Sequence, residues 1–232
     1  MTDPAANRPP SRRGRIPGIV AAVLGTAGIA ATALAVAAQR PSPPAPDPDQ
    51  PPPAAAKASR GPARATPPSS AAPKPSRVLE LPRSEPELIT VPRLKISSPL
   101  EDLQLDDQGA MQVPKNPAKA GWFTPSPPPG SIGSSVIAGH VTWNKRPAVF
   151  FRLGELRPGD QINIQRANRT TAVFTVERIA QFPKDRFPSE KVYDAAPYPA
   201  LRLITCGGTY DNTNHRYLDN VIVWARLTAS RP

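Results

Sequence analysis

Apolar residues follow two different patterns along this chain. Residues 16–38, IPGIVAAVLGTAGIAATALAVAA, carry no charged side chain, whereas the apolar residues after residue 88 come in short runs. Several of these runs alternate apolar and polar positions with the period of two that half-buried strands show, and they are rich in Val and Ile. Examples are SSVIAGHV, DQINIQRA, TAVFTVERIA, LRLIT and NVIVWARL. Residues 88–232 are therefore predicted to form an all-β domain, a barrel or a sandwich.

Turn-forming residues separate the predicted strands. They lie at residues 158–160 (PGD), 167–169 (ANR) and 207–208 (GG). The stretch DQINIQRANRTTAVFTVERI predicts a hairpin whose polar tip lies near residues 167–170. Within residues 88–232, only AVFFRLGEL and PSEKVYD predict helical structure, the first a short helix and the second one turn.

The uncharged segment predicts a membrane anchor. A helix over residues 16–38 would be about 34 Å long, enough to cross the hydrocarbon core of a bilayer. The arginines that precede it favour a cytoplasmic N-terminus, so residues 1–15 would be a basic cytoplasmic tail. A cleaved signal peptide is the alternative, since residues 35–37 (AVA) fit a cleavage site. With either alternative, the C-terminal part is outside the cell.

Composition predicts what links this segment to the strands. Residues 39–87 consist mostly of Pro, Ala and Ser, with few large apolar residues. Such a segment cannot bury enough surface to offset the entropy lost on ordering, and proline biases it towards polyproline II. We therefore expect a disordered stem that acts as an inert tether.

The net charge of +11 suggests nucleic acid as a partner, but its distribution argues against one. Basic residues are concentrated at the N-terminus and scattered through the stem, while in the C-terminal domain they are spread among acids without a run rich in Lys and Arg. A nucleic-acid interface needs a concentrated basic stripe, usually with stacking aromatics. No nucleic-acid partner is predicted.

The candidate chemistry lies at the ends of two predicted strands. Cys206, the only cysteine, follows LRLIT, and His140 follows SVIAG. Strand ends can lie side by side in a small barrel, and a thiol beside an imidazole is the minimum for cysteine nucleophilic catalysis. Arg216, near the turn before the last strand, is a candidate for oxyanion stabilisation. Gly207 and Gly208 would let the chain turn and leave room for a substrate backbone.

Each of these residues also has a plainer interpretation. A lone cysteine is more often a small buried apolar residue than a nucleophile. His215 lies in a polar loop and is predicted to be surface-exposed. One cysteine and two histidines without closely spaced ligand pairs predict no metal site.

Longer motifs favour the catalytic interpretation. LRLITCGG resembles the TLxTC strand-end motif of sortases, with Leu203, Thr205 and Cys206 in the motif positions. VIAGHVTWNKRPAVFFRLGELRPGD resembles the histidine segment of that family and the helix that follows it. QFPKDRFPSEKVY, LRLITCGG and YLDNVIVWA are similar in particular to class F sortases of high-GC Gram-positive bacteria. The resemblance extends over residues 88–230.

The resemblance implies a closed β-barrel of about eight strands with one or two short helices, and a thiol transpeptidase that needs no cofactor. Cys206 would form an acyl-thioester with the LPxTG-like sorting signal of a secreted protein. His140 would be the general acid and base, and Arg216 would hold the oxyanion or the substrate backbone. Thr205, together with Gly207, would support the substrate. The acceptor would be a cell-wall peptide amine.

The chain also departs from the family pattern. In many sortases an arginine directly opens the last strand, whereas here Asp219-Asn220 hold that position and Arg216 stands a few residues earlier. No acidic cluster indicates a calcium site.

Three other functions fit parts of the sequence. Water instead of an amine could resolve the thioester, which would make the protein a thiol hydrolase. An L,D-transpeptidase is a second possibility, but its SxGCxR-like context is missing. A non-catalytic peptide-binding barrel is the third.

Overall fold

The computed structural model describes residues 41–48 and 78–232 of the chain. The predicted cytoplasmic tail, the predicted membrane segment and most of the predicted stem lie outside these residues. Within the described ranges, no helix is both long and apolar enough to cross a bilayer.

Eight strands close into a barrel in the order β1-β2-β3-β4-β9-β10-β8-β7. They are β1 (Pro86–Val91), β2 (Ile96–Leu103), β3 (Ala120–Phe123), β4 (Gly133–Gly139), β7 (Gln161–Arg166), β8 (Thr171–Pro183), β9 (Pro199–Asp211) and β10 (Arg216–Arg231). A separate two-stranded hairpin consists of β5 (Thr142–Trp143) and β6 (Arg146–Pro147). The prediction of a closed all-β barrel is confirmed.

Helical structure is sparse in the described chain. It consists of 3₁₀ turns at Pro92–Leu94, Leu153–Glu155 and Lys184–Arg186, and of one α-helix, α1 (Ser189–Tyr193). The helix lies in the predicted PSEKVYD turn, whereas AVFFRLGEL forms turns and a 3₁₀ helix. The predicted hairpin is β7–β8, and its tip is closed by a hydrogen bond from the Arg166 N–H to the Thr170 carbonyl (2.9 Å).

Strand alternation divides the apolar side chains between two faces. The inward set fills the barrel, and it includes Leu201 and Leu203 of β9, which are fully buried. A smaller outer cluster lies on the outside of β4, β8, β9 and β10, partly covered by α1. Its members are Val136, Val192, Ile204, Ile222 and Trp224, with Met111, Phe123, Ala180, Phe182 and Phe187 packed around them. Both faces of β9 are buried, so its sequence is almost continuously apolar.

The packed region begins upstream of residue 88, the predicted boundary. Leu81 is buried, and its N–H donates to the Gly130 carbonyl (2.9 Å). Arg166, only 1% exposed, donates from Nη1 to the Pro82 carbonyl (2.8 Å). Residues 78–85 are thereby tied to the barrel just before β1.

Part of the predicted stem also contacts the barrel. Pro44 and Ala45 lie beside the 3₁₀ turn Leu153–Glu155, and residues 45–48 line a cavity together with residues 177–181 of β8. Gly154 is buried there, and a Cβ on it would collide with the Pro44 carbonyl oxygen. The pairing of β7 with β8 ends at Thr175, so this part of β8 has no strand on that side. Proline suits such an edge because it has no N–H to leave unpaired.

We predict that Gly154→Val displaces residues 41–48 without unfolding the barrel. Gly154 does not have a positive φ, so valine fits the local backbone but not the space occupied by Pro44. Hydrogen exchange at Ala45 and Asp47 should therefore accelerate, while exchange in β9 and β10 stays unchanged. Arg157→Ala, an exposed change in the next turn, is the matched control. Unchanged exchange in the valine variant would contradict the contact.

Candidate active site

The parallel pairing of β4 with β9 brings the predicted histidine and cysteine together. The pairs run from Gly133 with Pro199 to Ala138 with Ile204 at a constant offset. The Thr205 hydroxyl then donates to the Gly139 carbonyl (2.8 Å), 66 residues away in sequence. The next residues along the two strands are His140 and Cys206. Adjacent strands are about 4.8 Å apart, so the two backbones are neighbours.

The alternation of side chains along the strands places those of Cys206 and His140 on the outer face of the sheet. Along β9, Leu203 belongs to the barrel interior and Ile204 to the outer cluster, so Cys206 points to the same side as Ile204. Along β4, Val136 belongs to the outer cluster, which puts His140 on that side as well. Both residues are half-buried. The sulfur is therefore at the surface rather than inside the barrel.

The row that contains Cys206 continues across two further strands. Asn220 of β10 pairs with Cys206, and Phe182 of β8 pairs with Asn220. Reading across the sheet, the outer face therefore presents an imidazole, a thiol, an amide and a phenyl ring. The thiol lies between the imidazole and the amide.

The His140 ring is held by two contacts. Its Nε2 lies 2.8 Å from the Pro114 carbonyl oxygen, and its ring packs edge-on against Trp143 at a centroid distance of 5.2 Å. A carbonyl oxygen can only accept, so Nε2 carries a proton and donates it. Nδ1 is then the nitrogen available for proton exchange. Among the described residues, no hydrogen bond joins this ring to the Cys206 sulfur.

Thr205 and Gly207 face the barrel side, opposite to Cys206. Thr205 is 4% exposed, and its hydroxyl is bonded to the Gly139 carbonyl. A Cβ on Gly207 would lie 2.7 Å from Val221 Cγ2. Alternation turns Thr205 opposite to Cys206, and its hydroxyl joins β9 to β4. Its expected contact with the substrate stays a prediction. The absence of a Cβ on Gly207 makes room for Val221 of β10.

Arg216 lies at the tip of the β9–β10 hairpin. It is exposed and pairs with Asp211, five residues beyond Cys206 on β9, which is about 16 Å of extended strand. Hydrogen bonds from Asn214 and Thr213 lower the pKa of Asp211, with a smaller contribution from the charge of Arg216. The structure does not bring Arg216 into the row of the thiol. His215, beside it, is exposed as predicted.

Asn220 is the neighbour that sequence reasoning did not assign. The preceding Asp219 turns to the other face, where its Oδ2 accepts a hydrogen bond from Gln181 Nε2 (2.7 Å). The Asn220 amide makes no hydrogen bond to any other described residue. Counting the residue pairs of β9 and β10 back from the hairpin tip would identify Asn220 as the partner of Cys206. That count requires the position of the bulge between Tyr217 and Asp219, which the sequence does not reveal.

No group of three or more His, Cys, Asp or Glu side chains in residues 41–48 and 78–232 is arranged to hold a metal ion.

The family model described as the sortase domain matches residues 89–228. This is more than half of the chain, and the protein therefore belongs to the sortase family of cysteine transpeptidases. No curated protein matches the chain significantly.

Solved structures similar to this chain include sortases of three classes. The pilus-related sortase C of Group B Streptococcus has 19% identity over 65% of this chain and 70% of that chain, with a TM-score of 0.48. The SrtA sortase from Actinomyces oris has 21% identity over 67% and 87%, with a TM-score of 0.46. Sortase E1 from Streptomyces coelicolor, solved with a tripeptide in its active site, has 18% identity over 66% and 93%, with a TM-score of 0.49.

We predict that Thr205→Val destabilises the barrel by about 1–2 kcal/mol, because it leaves the Gly139 carbonyl without its donor at almost constant volume. Urea unfolding measures the loss. Thr205→Ser should retain most of the stability because it keeps the hydroxyl, and Thr209→Val, an exposed change four residues on, should be nearly neutral. Equal stability of the valine and serine variants would show that the hydroxyl bond does not hold the two strands.

Proposed function

We propose that this sortase cleaves an LPxTG-like sorting signal and transfers the secreted protein that carries it to a cell-wall amine. The observation that carries the proposal is the register of β4 and β9, which makes His140 and Cys206 neighbours on the exposed face of the sheet. A thiolate is the attacking species in cysteine catalysis, and it needs a partner that can exchange protons with amines.

The proposed reaction has two acyl-transfer steps. The Cys206 thiolate attacks the carbonyl carbon of the scissile peptide bond, a C–S bond forms, and the π electrons move to the oxygen. Collapse of this oxyanion breaks the C–N bond, and His140 gives its Nδ1 proton to the leaving amine. In the second step an incoming amine attacks the thioester, His140 takes the amine's proton, and the thiolate leaves.

Apolar side chains near the thiol support recognition of the Leu-Pro part of such a signal. Phe182 stands in the same row as Cys206, and Ile204 and Ile222 lie one row further along the same face. Met111, Phe123 and Phe187 are half-buried around them. An extended peptide on this face would have apolar contacts on one side of the scissile bond.

The proposed cellular setting follows from the sequence. Residues 16–38 would anchor the protein as a single span with its N-terminus in the cytoplasm and the barrel outside. Secreted proteins would then meet the enzyme at the outer face of the membrane. We also propose that the protein is a class F sortase, because its motifs resemble that class.

We predict that Cys206→Ala abolishes cleavage of an LPxTG-like peptide and that His140→Ala lowers kcat/KM by about 10²–10⁴-fold. Wild-type protein mixed with the peptide should show a covalent acyl adduct on Cys206 by mass spectrometry, and the Cys206→Ala variant should show none. Asn212→Ala, an exposed change in the hairpin turn, is the control for handling and folding. Persistent cleavage by Cys206→Ala would end the proposal.

The same assay separates transfer from hydrolysis. With an added amine acceptor, we expect the acyl group to appear mainly on the amine rather than on water. If water remains the acceptor at saturating amine, the protein is a thiol hydrolase. If wild-type protein binds the peptide but forms no adduct, it is a peptide-binding barrel.

A further inference from the structure

We propose that Asn220 supplies the side-chain hydrogen bond that stabilises the oxyanion formed during attack by Cys206. This inference rests on the proposed acyl transfer, although its central test uses a simpler acyl donor. It gives the role that the sequence predicted for Arg216 to a neutral amide on the adjacent strand.

The first argument is the position of Asn220 in the sheet. Asn220 and Cys206 are direct partners of the antiparallel β9–β10 pair, so their Cβ atoms are about 5 Å apart on the same face. The amide nitrogen lies two bonds beyond its Cβ, and a carbonyl carbon bonded to the sulfur lies two bonds beyond the other Cβ. An Asn220 N–H can therefore reach the oxygen of that carbonyl.

The second argument is that the amide is available. It makes no hydrogen bond to another described residue, and it is half-buried, so water only partly competes for it. A donor fixed on a strand needs little reorganisation when charge develops on the oxygen.

The third argument concerns the neighbouring charged groups. Asp219 would repel an oxyanion, but its carboxylate is turned to the other face and bound by Gln181 (2.7 Å). Arg216 is exposed at the hairpin tip, paired with Asp211. His140 flanks the thiol on the opposite side, where it exchanges protons. Asn220 is thus the side chain beside the sulfur that is free to donate to the oxygen.

In this step the thiolate adds to the carbonyl carbon, the carbonyl π pair becomes the lone pair of the oxyanion, and Asn220 Nδ2–H donates to that oxygen. When the intermediate collapses, the C=O bond re-forms and the leaving group departs with its electron pair. Asn220 keeps its protons throughout and forms no bond to the substrate.

The test compares two reactions of the same thiol in the full-length chain. p-Nitrophenyl acetate acylates the thiolate through an oxyanion and releases p-nitrophenolate, whereas iodoacetamide alkylates it by displacement of iodide without one. Because Cys206 is the only cysteine, both reactions report on this site, and Cys206→Ala gives the background.

We expect Asn220→Ala to slow acylation by the ester at least roughly tenfold and peptide cleavage by about 10²-fold, mainly in kcat. Alkylation should stay within about twofold of wild type, which also shows that the variant is folded around the thiol. Asn220→Asp, which keeps the shape but removes the donor, should be at least as slow in acylation. Arg216→Ala and the control Asn212→Ala should acylate at close to the wild-type rate.

Several outcomes would overturn the proposal. The first is a wild-type rate of acylation in Asn220→Ala. The second is an equal loss of the acylation and alkylation rates in that variant. The third is slower acylation in Arg216→Ala without slower acylation in Asn220→Ala. A wild-type thiol that the ester does not acylate would also overturn it. If the ester behaves as expected but no sorting peptide is cleaved, the proposed substrate is wrong and the role of Asn220 stands.

Discussion

The register between β4 and β9 is the constraint on which the site depends. These two strands are distant in sequence and are not joined by a hairpin, so no tight turn fixes how they align. Side chains alternate with a period of two, and a slip of one residue would turn Cys206 into the barrel. Six consecutive pairs and the hydroxyl bond of Thr205 hold the alignment. Local pattern marks His140 and Cys206 as strand-end residues, and the long-range pairing of β4 with β9 makes them neighbours.

The two faces of the same strands have different roles. On the barrel side, Thr205, Gly207 and the hydrogen-bonded pair of Asp219 and Gln181 set how closely β4, β8, β9 and β10 approach one another. On the outer side, the residues between them present an imidazole, a thiol and an amide. Residues that join the strands therefore alternate, along β9 and along β10, with residues that would perform the proposed chemistry. Substitutions on the barrel side should therefore affect the residues on the outer side only by shifting the strands that carry them.

The strands and the candidate pair could be predicted because both depend on local pattern: alternation marks the strands, and Cys206 and His140 each follow one. Asn220, the neighbour of the thiol on β10, could not be predicted, because its pairing with Cys206 depends on where the β9–β10 hairpin turns. Arg216 is near Cys206 in sequence but belongs to the tip, and the left-handed Gly208 (φ 72°) lies at the bulge that shifts the pairing. For Thr205, the alternation of side chains along β9 was available as a signal, and it places this side chain opposite to Cys206. The contact at residues 41–48 was hidden by a composition typical of disorder.

Residues 44–48 lie beside the part of β8 that has no strand on the β7 side. An uncovered edge strand presents free N–H and C=O groups, which are a template for pairing with another chain. Covering this edge with a segment that contains Pro44, Pro46 and Pro48 therefore protects the barrel from edge-to-edge association, because proline offers no N–H of its own to a further strand.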